Sequence, residues 1–135
     1  MLCGTYPTAC LRRYDARPLR CPQGAEIGLR VLLGYCARLA TERGKSIRPV
    51  VAFAAEHFLR ILLIVEAGSR PPPLGVVLPR EPGKFVPADS ANLSGIGPLW
   101  LGPLADSTIV RQLAPSTWTT AQAGRVNQEK IGGSR

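Results

Sequence analysis

The stretch Pro49–Val65, PVVAFAAEHFLRILLIV, is the longest apolar run in the chain, and the fold class turns on how it is read. Its borders look like helix borders. Ser46 is placed to cap a start, and Pro49 falls in the first turn, where a missing N–H costs little. Gly68 and then Pro71-Pro72-Pro73 close the run. The pattern predicts one helix over 49–65. Val50, Val51, Phe53, Phe58, Leu59 and the run Ile61–Val65 make it apolar nearly all round, as in a helix buried in a core or a membrane. At 17 residues it sits at the short limit for a membrane span. Glu56, His57 and Arg60 fall near its middle, where charged groups cost about 2.5–3.5 kcal/mol each. Glu56 and Arg60 stand four apart, the spacing at which helical ions pair. The run therefore reads as a helix that needs a partner, with Glu56, His57 and Arg60 as a polar centre.

Upstream, residues 25–41, AEIGLRVLLGYCARLAT, supply that partner. Ile27, Val31, Leu32, Tyr35, Cys36 and Leu39 fall on one helical face, while Arg30 and Arg38 fall off it. Gly28 and Gly34 each weaken a helix by about 1 kcal/mol relative to Ala. The spacing Gly24-x-x-x-Gly28 also suits close approach of a second helix. The connector, residues 42–48, holds Gly44-Lys45-Ser46, the end of a phosphate-binding loop. Leu39 stands where that motif needs its first glycine, so the backbone cannot wrap a phosphate. A capped turn between helices explains the same residues.

The first 23 residues are Arg-rich, with Asp15 as the single acid. Their balance is that of an organellar transit peptide, but Ser is absent and Pro7, Pro18 and Pro22 break any amphipathic helix. They read as a flexible basic arm in which Arg12, Arg13, Arg17 and Arg20 bind anions. The formal charge is +8, and +6 of it lies in residues 1–48. That asymmetry suits an anionic membrane surface or a nucleic acid. No secretory signal precedes Cys3, Cys10, Cys21 and Cys36, and their spacing is not that of a zinc site, so reduced thiols in an intracellular protein are expected.

Residues 69–135 are rich in Pro and Gly, and extended, irregular structure is expected there with a flexible tail. Val76-Val77-Leu78 and Thr108–Leu113 are the strand candidates. Asn92-Leu93-Ser94 fits a glycosylation acceptor pattern by chance. Gly97-Pro98-Leu99 and Gly102-Pro103-Leu104 form a small tandem around Trp100.

The expected architecture is thus small and mainly α: a basic arm (1–23), a helical hairpin (24–68) and a partly disordered Pro/Gly-rich region (69–135). His57 is the lone histidine, no nucleophile–base pair is evident, and neither a cofactor nor a metal site is legible, so an enzyme is not expected. Three functional readings follow. The first is a membrane-associated helical hairpin with its arm on anionic headgroups. The second is a soluble module binding nucleic acid or an acidic protein. The third is a reading frame without selected function, suggested by weak and scattered local signals.

Overall fold

The computed structural model describes residues 1–77, 85–87 and 95–113. In chain order the elements are helix α1 (Pro7–Tyr14), helix α2 (Gly24–Thr41), strands β1 (Lys45–Ala55), β2 (Phe58–Ala67), β3 (Leu74–Val77), β4 (Phe85–Pro87) and β5 (Ile96–Trp100), and helix α3 (Ser107–Leu113). The strands form two antiparallel sheets, β1-β2 and β4-β3-β5. The expectation of a mainly α fold built on a helical hairpin is therefore wrong: one long helix lies among strands.

The opening stretch explains the error. Residues 49–65 are not a helix but most of a β-hairpin, paired from Lys45↔Ala67 to Ala55↔Phe58. Glu56-His57, taken as the polar middle of a helix, are the two residues of its turn, and Glu56 has φ 44°. Such short hairpin turns need positive φ to match the strand twist. Glu56 and Arg60 consequently straddle the chain reversal, and Glu56 joins no ion pair among the described residues. Pro49, read as a helix start, is buried in β1 beside the register shift between Pro49 and Val51, where a missing N–H is tolerated. Val50, Val51, Ile61, Ile64 and Val65 are β-branched and favour the extended chain. A run apolar on both strand faces hides the two-residue period that would have identified it.

Helix α2 is the central element, and it is buried on two sides. Leu29, Leu33 and Ala37 form one core cluster with Ala52 and Trp100, against which Leu59, Ile61 and Leu63 of the hairpin pack. Val31 belongs to a second cluster with Cys10, Ala16, Ile96 and Leu99. A single apolar stripe read along the helix misses Leu29, Leu33 and Ala37, because a helix between two layers needs two faces. Its glycines admit strands and loops rather than a second helix. A Cβ at Gly28 would lie 2.9 Å from Leu59 Cδ1, and one at Gly34 would lie 3.3 Å from both Leu74 Cδ2 and Trp100 N.

Residues 1–23 include α1, which inserts Cys10 and stacks Tyr14 edge-on against Tyr35 of α2. The chain then pairs with β5, with Arg17 and Gly97 exchanging both backbone hydrogen bonds at 2.8 and 2.9 Å. Downstream, Thr108–Leu113 is helical rather than extended. Asp106 Oδ1 accepts from the N–H groups of Thr108 and Ile109, and this cap starts α3. Asn92-Leu93-Ser94 and the tail after Pro115 lie outside the described residues.

Candidate functional site

The hairpin, α3 and the segment after β2 converge on a groove of about 470 Å³, a size suited to a small-molecule site. Its charged rim is a chain of ion pairs. Arg48 on β1 donates from Nε to Glu66 Oε1 at 3.1 Å and from Nη1 to Asp106 Oδ2 at 3.2 Å. Arg70 donates to the other Glu66 oxygen at 3.2 Å. Pro71, Pro72, Pro73 and Trp100 supply apolar walls. Trp100 is fixed by its own Nε1–H to the Pro103 carbonyl, while Arg30 of α2 donates to the carbonyls of Trp100 and Gly102. Ser46 also lines the groove; it is buried, and its Oγ has no hydrogen-bond partner among the described residues.

Both carboxylates are held by arginines, and the second Asp106 oxygen caps α3, so neither is free to act as a base. Two positive and two negative side chains leave the rim electrically balanced. No sequence pattern marks Arg48, Glu66 or Asp106 as a site residue. Glu66 and Arg70 carry an i,i+4 signal, but the pairing of Arg48 with Asp106 bridges 58 positions and leaves no local trace.

The four arginines predicted to bind anions are all exposed: Arg12 and Arg13 in the last turn of α1, Arg17 at the bridge to β5, and Arg20 in the loop before α2. None joins an ion pair among the described residues. Nearby Arg38, by contrast, bonds Asp15 and the Tyr14 carbonyl, tying the end of α1 to α2. The fold thus anchors the segment through Cys10 and Tyr14 and leaves its cations facing solvent. The Glu56-His57-Arg60 group is not the middle of a helix but the tip of the hairpin. Glu56 and His57 are exposed on the turn, and Arg60 lies over the Phe58 ring, 5.4 Å from its centroid. The four cysteines are free thiols; burial raises the pKa of Cys10 and Cys36.

Comparison with known proteins adds what the geometry lacks. A family model described as N2,N2-dimethylguanosine tRNA methyltransferase matches residues 1–71. A tRNA (guanine(26)-N(2))-dimethyltransferase of Pyrobaculum neutrophilum is 38% identical over 119 residues, covering 84% of this chain and 34% of the relative. That of Thermococcus kodakarensis is 35% identical over 127 residues, covering 86% of this chain and 33% of the relative. The solved structure of Trm1 from Pyrococcus horikoshii with S-adenosyl-L-methionine superposes with a TM-score of 0.71 at 35% identity, over 82% of this chain and 32% of that one. The chain spans about a third of the length of these relatives.

These likenesses overturn three expectations. Similarity to enzymes over more than four-fifths of the chain contradicts the reading that it is not enzymatic. It also displaces the membrane-associated hairpin, whereas a nucleic acid, one of the partners expected, is what these relatives act on; among the described residues no helix is long and apolar enough to cross a membrane. A frame without selected function does not match a family model over half its length.

Proposed function

The chain belongs to the N2,N2-dimethylguanosine tRNA methyltransferase family, and from that premise we propose that it forms part of an enzyme that methylates the exocyclic N2 of a guanosine in tRNA. The observation that carries the reading is identity of 35–38% to two such dimethyltransferases across more than four-fifths of the chain. Its share of the work is RNA contact. Arg12, Arg13, Arg17 and Arg20 stand exposed on an anchored segment and pair with no carboxylate among the described residues, which suits phosphate oxygens.

The cofactor seen with the Pyrococcus horikoshii relative, S-adenosyl-L-methionine, does not fit the groove described above. A nucleoside site of this kind uses a glycine-rich turn for backbone approach and an acidic side chain for the ribose hydroxyls. Among the described residues the groove has no glycine in its lining, and its two carboxylates are taken by arginine.

The test is tRNA binding by the full chain across a range of salt concentrations. The logarithm of the binding constant should fall linearly with that of salt, with a slope near −0.9 per phosphate contacted in duplex RNA, by analogy with DNA. Arg12→Ala with Arg13→Ala should weaken binding several-fold and make that slope shallower by roughly 1–2. Binding indifferent to both changes would remove the arm from the interface. Failure to bind tRNA at low salt would overturn the reading.

A further inference from the structure

Strand β2 leaves one face open. Leu59, Ile61 and Leu63 point toward α2, and Phe58, Arg60, Leu62 and Ile64 point away, with the Arg60 guanidinium over the Phe58 ring. On that outer side Phe58 and Leu62 are each 49% exposed and Ile64 is 38% exposed, with Val65 at 54% beside them. Phe53 extends the patch across the hairpin, meeting Phe58 edge to face with ring centroids 6.3 Å apart. The backbone is open too. The outer edge of β1 receives a hydrogen bond from Asp106 N–H to the Val50 carbonyl, whereas no backbone bond reaches the outer edge of β2 among the described residues. A ten-residue edge strand with no bulge or proline of its own, whose Glu66 is already paired with Arg48 and Arg70 and whose Arg60 is laid over Phe58, is a template for another strand.

Three observations identify what covers it. The solved relative shares this part of the fold at a TM-score of 0.71, yet the shared part is 32% of that chain. The described groove does not fit the family's cofactor. The open edge and the apolar face lie on one strand, so a single β-bearing segment satisfies both. We propose that the outer face and free edge of β2 are the seam on which the remaining two-thirds of the family fold packs. That polypeptide adds a strand to β2, buries Phe58, Leu62 and Ile64, and brings the cofactor site that the described residues lack. The proposal rests on the family reading of function, but docking on β2 is measurable without tRNA or methyl transfer.

The probe is the part of the Thermococcus kodakarensis relative that this chain does not match, co-expressed with the full chain as a separate polypeptide. The two should co-purify at a 1:1 ratio, and β2 amides should become protected from hydrogen exchange. Leu62→Lys and Ile64→Lys should each weaken the complex at least tenfold, with the circular dichroism of the chain unchanged. Leu11→Lys, on the exposed side of α1, should leave the complex intact and serves as the control. Absence of co-purification with a folded chain would overturn the seam. So would a complex indifferent to Leu62→Lys and Ile64→Lys, or protection of β2 in the chain alone through a dimer. Loss of tRNA binding with the complex intact would instead strike the proposed function and leave the seam standing.

Discussion

Arg30 shows what a single residue does here that its position in the sequence conceals. It falls off the apolar stripe of α2, so a solvent role is the natural reading. In the fold it is half-buried, paired with Glu26 at 2.9 Å, and it donates to the Trp100 and Gly102 carbonyls at 2.8 and 3.2 Å. It therefore joins the central helix to the end of β5, across 70 positions of sequence. Arg30→Ala would leave two carbonyls short of a donor and a poorly exposed Glu26 without its counter-charge. Since hydrogen bonds from charged donors contribute about 1.5–3 kcal/mol, unfolding in urea should show a loss of about 2–3 kcal/mol. Arg12, by contrast, is exposed and joins no ion pair among the described residues, and Arg12→Ala should change stability by less than about 0.5 kcal/mol. The exposed cations were visible as an arginine-rich, acid-poor segment. The structural arginines were not, because their partners come from other elements.

At the scale of the element, the hairpin was misread and α2 was not. A helix over residues 25–41 was legible because periodicity, polar flanks and length agreed, and it runs from Gly24 to Thr41. For residues 49–65 the local signals conflicted. Serine, proline and glycine sat at helix-border positions, while β-branched residues and the Glu56-His57 break argued for strands. Long-range burial decided the outcome: β1 and β2 cover the Leu29-Leu33-Ala37 face of α2, which a helix pair would have covered with a narrower stripe. The turn keeps a trace of the conflict, for Glu56 holds φ 44°, where an ordinary L-residue is strained. Glu56→Asn suits that conformation without adding the unfolded-state freedom of glycine. It should raise the urea midpoint, by up to about 1 kcal/mol of stability, whereas a residue in an ordinary helix interior would lose stability on the same change.

At the scale of the molecule, the core is divided. One cluster joins α1, α2 and β5, and the other joins α2 to the hairpin and Trp100. No sequence pattern announces two clusters sharing one helix, and the groove at the second cluster's edge was equally hidden, since its rim comes from β1, β2, the proline run and α3. Burial of two thiols makes the fold sensitive to alkali. Cys10 is fully buried in the first cluster, and desolvation raises its pKa, with the Met1 ammonium acting in the opposite sense. Burial raises that of Cys36 as well. While pH stays below the ordinary thiol range, both are protonated in the folded and unfolded chain. As pH climbs through that range the unfolded chain gives up its protons first, so the stability they contribute is lost progressively up to the raised folded values. Stability should therefore decline from about pH 8.5 upward, and Cys10→Ala with Cys36→Ala should flatten the decline while lowering stability at neutral pH by the cavity they leave. Alkylation gives an order independently: at pH 8 the exposed Cys3 should react first, the half-buried Cys36 more slowly, and the buried Cys10 only on unfolding. Equal rates for Cys3 and Cys10 would mean that α1 does not stay docked on α2, and the arginines it carries would then lack the anchored presentation that the proposed RNA contact requires.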